Sequence, residues 1–180
     1  MTTIIGIQYE NKCTLYADSM IDDDGQPFKH PNMVKVTKHG QYLVAVAGDL
    51  HMLQFLCYAW QPPAPTAEDI KNPFRFMITS VVPTLREELK EANLLPDKED
   101  DESKNEFSML LCLNGDIFAI DSNFAVTQDA TNFYGIGSGS PFALGALHGG
   151  ASPQKAMEVA QKLDRKTNEP FIKREQRRTK

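Results

Sequence analysis

Strand-like and helical patterns do not alternate one by one along this 180-residue chain; they come in blocks, and that segregation limits the folds open to it. Residues 3–9 and 13–19 are apolar runs on either side of the polar break Glu10-Asn11-Lys12, which predicts a hairpin. With its turn near Glu10-Asn11, antiparallel pairing sets Asp18 opposite Thr2 or Thr3. A second hairpin is predicted from residues 33–37 and 42–47 around His39-Gly40, with Lys35 and Gly48 at its ends. The polar segment 22–27 between the two hairpins reads as a solvated turn, since it lacks the remaining ligands and closing glutamate of a calcium loop.

Helical spacing begins after residue 49. Leu50, Leu53, Leu56, Cys57 and Trp60 recur at that spacing until Pro62-Pro63, and a longer pattern covers residues 74–92, which Pro83 should kink or split. The acidic run 97–102 reads as a surface loop. Strands return at 107–113 and 117–120 around Asn114-Gly115, the strongest short hairpin signal in the chain, and a third strand at 123–128 extends the second sheet. A helix with Ser140 as cap and Pro141 in its first turn should close at Gly149-Gly150, and another should run from Ser152-Pro153 to about Asp164. A short strand near Phe171 precedes the basic segment 173–180, which reads as a solvated, frayed tail. The order of strands, two helices, strands, two helices predicts an α+β fold of four layers, helices outside and two antiparallel sheets within.

Composition bounds the rest. With 41% hydrophobic and 24% charged residues the chain has the balance of a soluble globular protein with one core, expected to be a single domain over residues 1–180. A net charge of −5 disfavours a nucleic-acid backbone as partner. No run of about 18 apolar residues exists to span a bilayer, and the start Met1-Thr2-Thr3-Ile4-Ile5-Gly6 lacks the features of a secretory signal. Cys13, Cys57 and Cys112 lie far apart in apolar stretches, which fits buried thiols in a reducing, cytoplasmic setting. His30, His39, His51 and His148 show no metal spacing, and Gly137-Ser138-Gly139 lacks the lysine of a P-loop and the third glycine of a dinucleotide fingerprint, so neither metal nor cofactor is expected.

Several separated motifs, in order, resemble the proteasome β-type peptidases and among them the compact HslV-like subunits: Met1-Thr2-Thr3-Ile4-Ile5, Tyr16-Ala17-Asp18-Ser19, Met33-Val34-Lys35-Val36, Val46-Ala47-Gly48, Ile136-Gly137-Ser138-Gly139 and Asp164-Arg165-Lys166-Thr167. The resemblance covers nearly the whole chain. It implies a four-layer αββα fold of the N-terminal-nucleophile (Ntn) hydrolase type and a threonine peptidase whose nucleophile is Thr2 once Met1 is removed. It further implies that Lys35 lowers the basicity of the freed amine, Asp18 pairs with Lys35, the Gly48 N–H faces the oxyanion, and Ser138, Asp164 and Thr167 support the amine and water. A pocket of Ile21, Met33 and Val46 is implied for the substrate side chain, giving cleavage after hydrophobic residues.

The same resemblance implies a homo-oligomeric ring, as two stacked hexamers, acting on unfolded polypeptides with an ATP-driven AAA+ unfoldase as partner. This sequence departs from the family pattern in one extra residue between Asp18 and Lys35, in Asp49 after Gly48 and in Asn168. Two other readings use the same residues: a catalytically silent ring scaffold, which retention of Met1 would favour, and an Ntn amidase acting on a small amide.

Overall fold

The computed structural model describes residues 2–23, 26–29, 33–95 and 106–179, the side chains of residues 22, 23, 26 and 27 excepted. Met1, the tip of the 22–27 turn, His30, the acidic run 97–102 and Lys180 lie outside the described residues.

Strands β1 (Ile4–Gln8) and β2 (Lys12–Ala17) form the N-terminal hairpin in a register that pairs Ile4 with Ala17. Where the polar composition predicts a solvated turn, β3 (Met20–Asp23) and β4 (Gln26–Lys29) pair as a small antiparallel ribbon. Burial of Met20 and Ile21 at its base accounts for the extended chain there. The second hairpin follows as β5 (Val36–His39) and β6 (Tyr42–Gly48).

Asp49 caps α1 (Leu50–Gln54) by accepting from the His51 and Met52 N–H groups, and a π-helical turn, Phe55–Ala59, carries the chain to Trp60. Helix α2 (Ala67–Lys71) buries no residue, so apolar spacing does not reveal it; its signal is the capping box of Thr66 and Asp69. Helix α3 (Pro73–Phe76) runs through a second π turn, Met77–Val81, into α4 (Val82–Glu91). Pro83 has no N–H to give, and the ladder accommodates it by widening just before it, the Val82 N–H bonding the Met77 carbonyl five residues back.

Strands β7 (Phe107–Leu113) and β8 (Asp116–Asp121) pair around Asn114-Gly115 as expected, and β9 (Val126–Thr127) adds to β8. Strand β10 (Phe133–Ile136) precedes α5 (Ser140–His148), and α6 (Pro153–Leu163) starts at Ser152, whose hydroxyl caps the Lys155 N–H. The cap of α5 is Gly139, one residue before the expected Ser140, because the Ser140 hydroxyl is spent donating to the Gly137 carbonyl at 2.7 Å.

The reading of residues 173–180 as a frayed tail is corrected. Strand β11 (Ile172–Arg177) pairs with β2 along its whole length, and Arg178 and Thr179 are tied to Asp116 and Asn114. Its charged residues suit an edge strand, where they discourage further pairing.

One sheet has the order β10-β1-β2-β11 and the other β5-β6-β7-β8-β9. Three apolar clusters separate the layers. Ile4, Leu15, Leu43, Leu110 and Ile117 fill the space between the sheets. Val44, Leu111, Leu56, Trp60 and Leu85 join the second sheet to the first helical layer. Ile5, Ile7, Ala143, Met157 and Ala160 join the first sheet to α5 and α6. The architecture is the expected αββα sandwich. No helix among the described residues is long and apolar enough to cross a membrane.

Candidate active site

The β1–β2 register, continued one residue beyond the strands, puts Asp18 opposite Thr3: the Asp18 N–H donates to the Thr3 carbonyl at 3.0 Å, and the Thr3 N–H to Asp18 Oδ1 at 2.9 Å. The same oxygen accepts from Lys35 Nζ at 2.7 Å. Asp18 Oδ2 faces the Met20 and Asn168 N–H groups at 3.1 and 3.4 Å. Asp18 is 0% exposed and Lys35 2%, so this ion pair is fully buried. Burial pulls the lysine below its ordinary pKa, opposed by the Asp18 charge and hydrogen bond and by the charge of Asp164. Lys35 meets Asp18 across the intervening residues of the β3–β4 region.

A second cluster closes the other side of β1. Asp164, at the C-terminus of α6, accepts at Oδ2 from the Ser138 and Thr167 hydroxyls, both at 2.8 Å, and at Oδ1 from the Lys166 N–H at 3.1 Å. Burial raises its pKa, but these donors and the Lys166 charge outweigh it and hold the carboxyl below its ordinary value. The Thr167 hydroxyl also meets the hydroxyl of Thr3.

The glycines around Ser138 are required by close approach. A Cβ on Gly139 would stand 2.0 Å from Thr3 Oγ1 and 2.6 Å from Thr167 Oγ1, and one on Gly137 2.0 Å from the Thr2 carbonyl oxygen. Thr2 itself is buried.

Gly48 ends β6 at φ +152°, where a Cβ would lie 2.3 Å from the Glu106 carbonyl oxygen. Along β6 the Val46 N–H bonds the Lys35 carbonyl, while the Asp49 N–H turns the opposite way to Glu106. Strand alternation therefore directs the Gly48 N–H to the Lys35 side.

The structure thus brings Thr2, Asp18, Lys35, Ser138, Asp164 and Thr167 around the start of β1, while Gly48 ends β6 two residues beyond the Val46 N–H that bonds the Lys35 carbonyl. Ile21, Met33 and Val46 belong to one buried cluster under the first helical layer. Asp49 is committed to capping α1. Sequence reasoning missed Thr3 as a member of the site and the backbone donors of Met20 and Asn168. The pairing of Asp18 with Thr2 or Thr3 contained the signal for Thr3; nothing local marks the other two.

With this geometry in place, the fold can be set beside solved structures, and it is shared with BPH, HslV and Anbu. Among solved structures, Thiobacillus denitrificans BPH in complex with epoxomicin is similar at TM-score 0.73 and 21% identity, over 99% of this chain and 100% of that one. Eukaryotic HslV from Trypanosoma brucei is similar at TM-score 0.64 and 20% identity, over 97% of this chain and 98% of that one. Anbu, an ancestral β-subunit from Yersinia bercovieri, is similar at TM-score 0.63 and 15% identity, over 97% of this chain and 81% of that one. No protein-family profile and no curated protein matches the sequence.

Proposed function

We propose that residues 1–180 form one threonine-type endopeptidase domain in which Thr2, exposed by removal of Met1, attacks peptide bonds of unfolded polypeptides. The observation that carries this reading is that the buried Asp18–Lys35 pair and the Ser138–Asp164–Thr167 cluster both meet Thr3, the residue next to Thr2. A structural strand end has no use for a desolvated ion pair, which well-packed apolar residues of similar volume often replace at no loss of stability.

The chemistry needs no further group. A threonine hydroxyl is a weak nucleophile until a base takes its proton, and the α-amine of the same residue is a base already within reach. Its ordinary pKa is about 7.7 to 8.0, and a neighbouring lysine cation lowers such a value toward neutrality, the part proposed for Lys35. The Thr2 oxygen adds to the substrate carbonyl, the Gly48 N–H stabilises the oxyanion, and the protonated amine returns its proton to the departing amine. Water then hydrolyses the ester. An oxyanion contact of this kind is worth roughly 2.7 to 4 kcal/mol in hydrolases. Ile21, Met33 and Val46 supply an apolar site for the residue before the cleaved bond.

The proposal extends to a homo-oligomeric ring, as stacked hexamers, working in the cytoplasm with an ATP-driven AAA+ unfoldase; the fold shared with HslV and Anbu supports the homo-oligomer. Tyr58 and Ile78, about half exposed on the first helical layer, supply apolar surface for such contacts.

The test is intact mass of the protein from its native host before and after a peptide epoxyketone, which requires both the hydroxyl and the free amine of an N-terminal threonine. The expected result is loss of Met1 and one adduct per chain, abolished by Thr2→Ala. Retained Met1 with no adduct overturns the proposal.

A further inference from the structure

Resting on the reading of Thr2 as nucleophile, we infer that Thr3 is a positioning residue whose side chain and backbone tie the two halves of the site into one hydrogen-bonded unit. Its N–H holds Asp18 Oδ1, the oxygen that also binds Lys35. Its hydroxyl reaches Thr167, 164 residues away in sequence.

The direction of the hydroxyl chain follows from elimination. Asp164, held below its ordinary pKa, is an acceptor only, so both hydroxyls on its Oδ2 must donate to it. The single proton of Thr167 is therefore committed to Asp164, and the Thr3–Thr167 contact has its proton on Thr3. Thr3 donates to Thr167 and Thr167 to Asp164. Each donation polarises the next, so the Thr3 proton strengthens the bond that Thr167 makes to the carboxylate.

No other rotamer or residue replaces this link. Thr3 is 0% exposed, and Gly139 lies so close that any side chain there would occupy the space of the Thr3 hydroxyl. The peptide that carries the nucleophile is thus pinned at its neighbour from both faces. Loss of the Thr3 hydroxyl frees Thr167 to rotate, weakens its donation to Asp164 and loosens the start of β1 relative to Ser138. The charges that face Asp164 are those of Lys35 and Lys166, and neither changes in the substitution.

The experiment compares Thr3→Val, Thr3→Ser, Thr167→Val and the Thr3→Val/Thr167→Val double variant with the wild-type protein. The readouts are the rate of epoxyketone adduct formation and kcat and KM for a fluorogenic peptide across pH. Thr3→Val should slow labelling and kcat about tenfold, short of the ~100-fold that a 1 Å misplacement costs, with KM unchanged. Its acid limb should move to higher pH, because Asp164 loses part of the donation that keeps it ionised. Thr3→Ser should restore rate and profile, and the double variant should be no slower than Thr167→Val alone, because one link is cut in both.

Wild-type rate and pH profile in Thr3→Val, failure of Thr3→Ser to rescue, or losses that multiply in the double variant would each overturn the inference. If Thr3→Val does not fold, Thr3→Ala cuts the same link and Thr3→Ser keeps it, so that pair decides. A wild-type protein that forms no adduct refutes the nucleophile reading, and this inference falls with it; an adduct indifferent to Thr3 refutes the inference alone.

Discussion

Replacing Asp18 by asparagine leaves Lys35 as a buried cation whose partner is gone. The side chain keeps its shape, so the change is chemical: Oδ1 no longer balances an ammonium at 2.7 Å, and one of the two terminal atoms becomes an N–H₂ group facing backbone donors. Both partners are out of water, at 0% and 2% exposure, so solvent cannot take over. Breaking such a pair from one side costs about 3–5 kcal/mol. That is a large fraction of the roughly 5–15 kcal/mol that holds a typical domain together. The variant should therefore melt ~6–20 °C below wild type, at ~2–4 °C per kcal/mol for a chain of this size. Combining it with Lys35→Met removes the stranded charge as well, and the double variant should recover most of the loss. The sign with pH follows from Lys35, whose folded pKa is already depressed by burial and drops further without Asp18. Between the folded value and the unfolded value near 10.4, the unfolded state binds more protons, so stability rises with pH there and the deficit of Asp18→Asn should narrow. Urea unfolding at fixed protein concentration measures all of this. A single variant within about 1 kcal/mol of wild type, or a double variant less stable than the single, refutes the argument that the pair is a buried, interdependent unit.

Gly139→Ala should abolish epoxyketone labelling and cost about 1–3 kcal/mol, since its methyl group would overlap Thr3 Oγ1; labelling at the wild-type rate counts against the described packing. Gly48→Ala forces a Cβ against the Glu106 carbonyl at a φ that L residues avoid, and a thermal melt should show a loss of at least 1–3 kcal/mol. Asp164 has a depressed pKa, so its stabilising contribution is present above about pH 3.9 and disappears as pH falls through the lower folded value; Asp164→Asn should flatten the acid end of a stability–pH curve. Deleting residues 172–180 strips β2 of its partner and should yield aggregated protein in a sedimentation assay, whereas a dispensable tail would leave solubility unchanged.

How far the sequence reveals these features depends on whether a signal is local. The N-terminal hairpin needs only alternation and one polar break, and with it came the placement of Asp18 against Thr2 or Thr3, of which the structure selects Thr3. The segregation of strands and helices was enough for four layers. Segment 173–180 was harder, because a charged run reads the same whether it is solvated or forms the edge of a sheet, and only its pairing with β2 decides. Strand β10 is short and runs into the Ile136-Gly137-Ser138-Gly139 turn, so its four residues give no usable period. Lys35 illustrates the limit most sharply. Its position at the end of a hairpin is legible, but its ammonium meets Asp18 through the path of β3 and β4, whose length no periodicity constrains. The link from Thr3 to Thr167 lies beyond any window at all, since both residues are ordinary threonines until one sheet and the helix packed on it have brought them together. What gives the hydroxyl of Thr3 its direction is Asp164, and what keeps Asp164 an acceptor is the set of donors around it, the Ser138 and Thr167 hydroxyls and the Lys166 N–H. Such a chain of dependence exists only in the folded state, which is why variants at Thr3 and Thr167, rather than further reading of either segment, can decide what it does.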